Sequence, residues 1–426
     1  MAIIKPFRGI RFNCSLVSDP GKVITPPYDV ISEQEQERLH KKNPYNIVRL
    51  EYGKILPEDN EDNNRYSRAA ETLEQWLNKN ILMLEDKSSY YLYEQRFDYQ
   101  GKTYTRRGIA AALKLQPYED NIILPHERTM SGPKADRLEL LKTTRTNTSP
   151  IFTLYPDQGN FVNEIFETVN GKTPVFDSGE HDDQSHRLWQ IDDIDGISEI
   201  TDHIKSQPLL IADGHHRYET ALNYSQLSKG NIDKPSDYIL TVMVSMFDPG
   251  LLVLPTHRLI SGMTNTEMVN LQTILKDNFS IQPFSSTSEI DRSGFVAKLK
   301  NISSSNNGFG FINHDRACFL IPKKLEKQNE QPLPVELLHD QILEPLLDHD
   351  LVNKFGKERI SYPHDIDSAI DAVLSRSADT AFILDTVPVN KVLNYSRAGK
   401  IMPQKTTFFY PKLPGGLVLY NMDRSF

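Results

Sequence analysis

The sequence predicts an α/β protein with mixed sheets, and three patterns lead to that expectation. Segments with apolar residues three and four apart alternate with short β-branched and aromatic runs along the chain. The stretch "YYLYEQRFDYQGKTYTRRGIAAAL" (90–113) reads as a hairpin, two β-rich arms joined by Tyr-Gln-Gly-Lys. The stretch "LLIADGHHRYETALNY" (209–224) reads as a short buried strand that passes through Asp-Gly straight into a helix.

Taken in order, residues 1–85 mix short extended pieces with helices. "VITPPYDVIS" (23–32) is a strand end followed by a proline-stiffened turn. Tyr66, Ala69, Ala70, Leu73 and Leu77 keep helical spacing, which predicts a helix over 63–79. After the hairpin, "KADRLELLKTTR" (134–145) returns to helical spacing, and "SPIFTLYP" (149–156) is a strand. Residues 157–190 are polar and follow neither period. Leu209–Ala212 is a buried strand by composition. His215 to Lys229 is a helix with Tyr218, Ala221, Leu222 and Ser225 on one face and Gly230 as its stop. In "DYILTVMVSMFDPGLLVLPTHR" (237–258) two apolar runs flank Asp-Pro-Gly, which predicts a second hairpin. "SSTSE" (285–289) and "NISSSNNG" (301–308) have the composition of surface loops. From about residue 260 the pattern resets, and helices alternate with strands such as "GFGFIN", "ACFLIP" and "DTAFILD" to the end.

A length of 426 residues suggests two or three domains. The hydrophobic share of 38% and charged share of 25% are those of a soluble globular chain. A formal net charge of -9 argues against a general nucleic-acid binder, because phosphate backbones require a basic face. No window approaches a membrane-spanning length of apolar residues. "MAIIKPFRGIRFN" lacks the apolar core and small-residue site of a secretory signal. Cys14 and Cys318 are far apart and without metal spacing, so neither a disulfide framework nor a metal site is expected. A reducing cytoplasm fits this pattern.

The Asp213-Gly214-His215-His216-Arg217 turn carries the chemistry. The first turn of a helix exposes unpaired N–H groups and a partial positive charge. Gly214 lets an anion approach the backbone. Arg217 adds a rigid fork of donors matched to phosphate, and a histidine can donate in either charge state. The turn therefore reads as a phosphate cradle. Asp213 is unsuited to direct anion contact, and suits a hinge cap, a histidine orienter or a ligand to phosphate-bound Mg²⁺. The plainer alternative leaves one histidine as a helix-start polar residue and Arg217 paired with a core carboxylate. His215 and His216 point about 100° apart on a helix, which disfavours joint metal ligation.

A second signal is "ILPHERTMSGPKADR" (123–137), which ends on Arg137. Pro125 breaks any regular element before His126 and Glu127, a histidine–carboxylate pair in a loop that can serve as general base toward a hydroxyl. Ser131-Gly132-Pro133 reads as a turn, with Lys134 and Arg137 beyond it as neutralisers of phosphate charge. The alternative is that Glu127 caps the helix starting near Pro133. Tyr28 and Asp29 either line the site or only turn the chain. The P-loop, G-x-G-x-x-G and H-E-x-x-H patterns are all missing, so a nucleotide would be held in another way.

The segments "LPHERTMSGPKADRLELLKTTRTNTSPIF", "ADGHHRYETAL" and "PPYDVIS" resemble a bacterial family known as a domain of unknown function. Pro125-His126-Glu127, Asp213 to Arg217 and Lys405-Thr406-Thr407 also occur in the order shown by free L-serine kinases of the ParB/sulfiredoxin-like superfamily. That remoter resemblance implies a ParB/sulfiredoxin-like core with an N-terminal extension and a C-terminal α/β lobe. The implied bounds are 1–115 for the N-terminal α/β region, 116–260 for the phosphate-binding core and 261–426 for a lobe closing the substrate site. It implies Glu127 as base, His215, His216 and Arg217 as phosphate binders, and Lys405, Thr406 and Thr407 as substrate contacts. ADP or ATP with Mg²⁺, and free serine or a similar hydroxyl metabolite, would be the ligands. The kinases continue the third motif with Arg and His where this chain has Phe408 and Phe409, which removes groups suited to a substrate carboxylate. The implied alternatives are a non-catalytic nucleotide-binding ParB-like sensor, or a phosphatase or phosphotransferase using another donor.

Overall fold

The computed structural model describes residues 1–129, 131–159, 161–227, 233–323, 332–347 and 359–426. They form a mixed α/β architecture in two compact units. Residues 1–252, 393–400 and 409–426 make the first, and 253–392 with 401–408 make the second.

The first unit opens with β1 (Ile4–Lys5) and β2 (Ile10–Phe12), then α1 (Glu33–Lys42), α2 (Val48–Glu51), α3 (Arg65–Asn78) and β3 (Leu82–Leu84). Ser32 caps α1 by accepting the Glu35 N–H, and His40, Lys41 and Lys42 face the negative end of that helix. α3 has the predicted register, with Ala69, Leu73 and Trp76 buried, and Asn64 and Ser67 close its first turn reciprocally. Leu73 and Trp76 share an apolar cluster with Phe12, Ile47 and Leu82.

The predicted hairpin is β4 (Tyr90–Tyr99) and β5 (Lys102–Lys114). Gln100 and Gly101 between them both have positive φ, 49° and 74°, the geometry that matches the twist of the flanking strands. Next come β6 (Ile123–Leu124), α4 (Ser131–Thr144), β7 (Thr146–Asn147), β8 (Ile151–Tyr155), α5 (Phe161–Glu167), β9 (Phe176–His181) and β10 (Gln184–Ile191). Then follow α6 (Ile194–Lys205), β11 (Leu209–Asp213), α7 (His215–Leu227) and β12 (Tyr238–Ser245). The main sheet is ordered β6-β11-β8-β12-β5-β4-β10-β9, with β1 beside β5. It is mixed: β11 runs parallel to β6 and β12 parallel to β8, while the other pairs are antiparallel. α7 packs on β8 and β12, α4 on α7, and α3 on α4.

Several sequence expectations change here. The hairpin over 237–258 does not form, because β12 already has β5 on one edge and β8 on the other. Its unbroken apolar run reflects complete burial on both faces. The polar 157–190 stretch contains α5 and a real hairpin, β9–β10, whose half-exposed strands dilute the alternation. The supposed turn at 131–133 is the first turn of α4, where a proline costs no internal hydrogen bond. The expected helix stop at Gly230, with Lys229 before it, lies outside the described residues.

After the short β13 (Leu252–Leu254), the second unit contains an antiparallel sheet. Its strands are β14 (Arg258–Ile260), β15 (Phe279–Ser286), β16 (Phe309–Asn313), β17 (Arg316–Pro322), β18 (Ile360–Ser361) and β19 (Thr380–Ile383), ordered β15-β17-β16-β19-β14-β18. The helices are α8 (Asn265–Asn278), α9 (Arg292–Asn306), α10 (Pro334–Leu338), α11 (Glu344–Leu346) and α12 (Ile366–Leu374). Phe295 and Leu299 of α9 and Ile370 of α12 meet Phe319 and Ile383 in its core. The "NISSSNNG" stretch is mostly the end of α9, because Ile302 is drawn into that core; Asn307 closes the helix at φ 51°. "SSTSE" begins as the end of β15, and the buried Thr287 donates its Oγ1–H to the Asn313 carbonyl at 2.6 Å. Cys14 and Cys318 are both free thiols. Among the described residues no helix is long and apolar enough to cross a membrane.

Because Leu240 sits fully buried in the centre of β12, Leu240→Ala is expected to lower unfolding free energy by about 2–5 kcal/mol. A chemical-unfolding midpoint unchanged from wild type would show that this strand is not core.

Candidate functional site

The two motifs of the first unit meet because their strands pair. Leu209 and Leu210 of β11 lie in parallel register with Ile123 and Leu124 of β6. Pro125-His126-Glu127 and Gly214-His215 therefore leave the same edge of the sheet together. On its other side β11 pairs with β8, and the register shifts between Ile211 and Asp213. Such a bulge bends the strand and re-aims the residue after it. Gly214 then takes φ +94°, and an added Cβ would stand 2.9 Å from Ile151 Cγ2. Glycine is required there on both counts. α7 begins at the next residue.

His126 and His215 form the floor of this turn. His126 is fully buried, and its Nδ1 is 2.7 Å from the Ile211 carbonyl. A carbonyl only accepts, so Nδ1 carries the proton. The His126 backbone N–H donates to His215 Nε2 at 3.4 Å, which puts the His215 proton on Nδ1. The rings meet edge to face at 4.7 Å. Burial pushes the pKa of both imidazoles below the usual value, and that of His215 well below, with His126, His216, Lys412 and Arg217 adding to the effect. His126 thus supports His215 from beneath and meets no solvent, which sets aside the expectation that it shares the proton transfer. His216, half-buried, is also held below the usual pKa by burial, against the opposing charges of Glu127, Glu219 and Asp29. Glu127 is half-buried, and among the described residues its carboxylate has no hydrogen-bond or ion-pair partner.

Asp213 takes the part of an anchor. Its Oδ2 accepts from Arg217 Nη2 at 2.6 Å, while Arg217 Nη1 donates to the Pro150 carbonyl. Its Oδ1 lies 2.7 Å from Lys412 Nζ, and Lys412 is also paired with Asp29. Burial alone would lower the Lys412 pKa; Asp213 and Asp29 overcome this and hold it above the usual value, so the ammonium stays charged. With one cation on each oxygen, Asp213 anchors Arg217 and Lys412 to the turn.

Lys134 and Arg137 are close by but already engaged. Lys134 Nζ donates to Glu219 at 3.0 Å and to Thr129 at 3.2 Å, and Thr129 Oγ1 donates to the same Glu219 oxygen at 2.7 Å. Arg137 is buried; it donates to Asp136 at 2.6 Å and 2.8 Å and to the Glu51 carbonyl at 2.9 Å, and lies 4.0 Å from the centre of the Tyr28 ring. Its guanidinium is engaged by Asp136 and Glu51, so the expected phosphate contact gives way to a structural role. It fixes Tyr28, whose neighbour Asp29 holds Lys412. Burial raises the Tyr28 pKa to about 12. The "PPYD" turn therefore lines the site.

Lys405, Thr406 and Thr407 belong to the second unit. Arg258 Nη2 donates to the carbonyls of Gln404 at 3.0 Å and Lys405 at 2.9 Å, and Thr406 Oγ1 donates to Pro403 at 2.6 Å. Phe408 stacks on His364 at 3.7 Å.

Sequence reasoning missed Lys412, Glu219, Thr129, Glu51 and Asp136. Glu219 was within reach, since it stands four residues after His215 on the same helix. Lys412 had no local signal. A groove of about 410 Å³ lined by Lys134, Ala135, Leu138, Glu219, Thr220 and Asn223 runs between α4 and α7. A hollow of about 320 Å³ lies instead among Arg96, Asp98, Asp177, Glu180 and Arg187 of the hairpins, and shares no residue with the motifs. Among the described residues, His339, Asp340 and Glu344 of the second unit are grouped closely enough to share a metal ion, and none belongs to a motif.

Two outcomes are expected. Gly214→Ala should destabilise the first unit by about 1–3 kcal/mol through backbone strain and the Ile151 clash, read as a lowered unfolding midpoint. The buried neutral histidines should make stability fall in acid. The unfolded chain protonates them near pH 6.5, the folded one only lower, so their contribution is complete above about 6.5 and is lost as pH falls below it. Unfolding midpoints at pH 7.5 and 5.5 should differ more for wild type than for His215→Gln.

Residues 4–341 match the family described as "Protein of unknown function (DUF1015)". No curated protein matches the chain. Among solved structures the chain is similar to a free serine kinase in complex with AMP, at 14% identity and TM-score 0.38, over 71% of this chain and 86% of that one. It is also similar to a conserved hypothetical protein from Pyrococcus furiosus, at 15% identity and TM-score 0.38, over 72% and 93%. A C-terminally truncated SbnI from Staphylococcus aureus aligns at 11% identity and TM-score 0.37, over 71% and 85%. With residues 4–341 matched, the chain belongs to the DUF1015 family.

Proposed function

We propose that the chain is a small-molecule kinase, built on a ParB/sulfiredoxin-like core, that moves a phosphoryl group from ADP or ATP to a hydroxyl of free serine or a similar metabolite. The observation that carries the reading is the pairing of β6 with β11. It sets Glu127, whose carboxylate has no hydrogen-bond or ion-pair partner among the described residues, at the edge where the glycine turn delivers the first N–H groups of α7. The shared order of three motifs with free L-serine kinases supports the same reading.

In this mechanism the nucleotide phosphates lie at the start of α7. The helix N–H groups, His216 and Lys134 donate to them. Arg217, fixed through Asp213 and Pro150, contributes charge from a rigid position. Glu127 takes the proton from the substrate hydroxyl as its oxygen bonds to phosphorus, and the bond to the leaving phosphate oxygen of the nucleotide breaks. His126 positions His215 as a neutral Nδ1–H donor. Mg²⁺ would arrive on the nucleotide and neutralise phosphate charge; Asp213 does not fit as its ligand, since Arg217 and Lys412 occupy both oxygens.

The test is phosphorus NMR of wild type and Glu127→Gln with serine and a panel of nucleotides. Wild type should form a phosphomonoester, and Glu127→Gln should lose at least about 100-fold in kcat while nucleotide still raises its Tm. A wild type that binds nucleotide but phosphorylates nothing would favour a sensor. Undiminished turnover in Glu127→Gln would remove Glu127 as base.

A further inference from the structure

The charge at the phosphate turn poses a problem that the turn residues alone do not solve. Asp213 immediately precedes Gly214 and α7, so its negative charge sits where an anion is meant to bind. Arg217 can neutralise only one side of it, through Oδ2. The other oxygen is met by Lys412, from a part of the chain that carries none of the motifs. The Lys412 side chain is 11% exposed, and its ammonium is clamped between Asp213 and Asp29 of the "PPYD" turn. Asp29 follows Tyr28, whose ring packs beneath Arg137. The Asp29–Lys412–Asp213–Arg217 chain thus balances two carboxylates with two cations.

We propose that Lys412 is a positioning residue of the phosphate turn: as the resident counter-cation of Asp213, it makes an aspartate compatible with an anion at the start of α7 and ties the N-terminal "PPYD" turn into the site. The inference rests on the phosphate reading above. Without the ammonium, Asp213 repels the anion and competes with it for Arg217. Asp29 matters only as the second clamp that fixes where the ammonium sits. Lys412 acts through Asp213, and the phosphates need not touch it.

The probe is inorganic pyrophosphate, titrated calorimetrically into the full chain at pH 7.5. Lys412→Gln should weaken binding about tenfold or more, and Lys412→Arg, which restores the charge, should return it to within about threefold of wild type. Lys412→Gln leaves two carboxylates short of a cation and can fail to fold. The Asp29→Asn/Lys412→Gln double variant removes one charge of each sign, keeps the net charge of the cluster and should keep a near-wild-type Tm, while Asp213 Oδ1 still lacks its ammonium and pyrophosphate binding stays weakened. A folded double variant that binds pyrophosphate as tightly as wild type would sink the inference and leave the phosphate reading standing. Wild type that binds no pyrophosphate would end both.

Discussion

The half-buried carboxylate of Asp213 is the constraint around which the first unit arranges its site. An ionised group partly taken out of water must be matched by charge and hydrogen bonds. Asp213 is matched on both oxygens, by Arg217 one helical turn ahead and by Lys412 from the C-terminal tail. Each partner is itself fixed, Arg217 by the Pro150 carbonyl and Lys412 by Asp29. Three distant parts of the chain, at Asp29, Pro150 and Lys412, are locked to one turn in this way. The turn is therefore rigid before any ligand arrives, which is the condition under which fixed dipoles and charges act most strongly on a bound anion.

Neutral histidines are the second half of the same design. A protonated ring beneath Gly214 would face Arg217 and Lys412 at short range, inside a region with little water. Burial and those two cations keep His215 uncharged, and the Ile211 carbonyl and the His126 N–H fix which nitrogen carries each proton. The turn offers oriented donors from its histidines and keeps its positive charge on Arg217 and Lys412.

Much of the secondary structure could be read directly. The register of α3, the arms of β4 and β5 and the β11–Gly214–α7 unit follow from local periodicity and turn chemistry, because each element buries one face against its near neighbours. Two kinds of feature escaped. Half-exposed strands such as β9 and β10 carry too many polar residues to show a period. The 237–258 stretch looked like a hairpin because two apolar runs flank a turn, yet β12 had better partners elsewhere. Pairing in a sheet is settled by competition among all strands, and no local pattern records the competitors.

At the site the division falls between residue type and residue partner. The amino-acid order alone determined that a glycine-hinged helix start would carry His215, His216 and Arg217, and that Glu127 would precede a second helix, since those are properties of neighbouring residues. Only the tertiary structure decided that β6 lies beside β11, that Arg137 is spent on Glu51, Asp136 and Tyr28, and that Lys412 stands on Asp213. The physical reason is range. Helix and turn propensities act over a few residues, whereas the pairing of buried charges depends on which distant segments the packed core brings within about 3 Å.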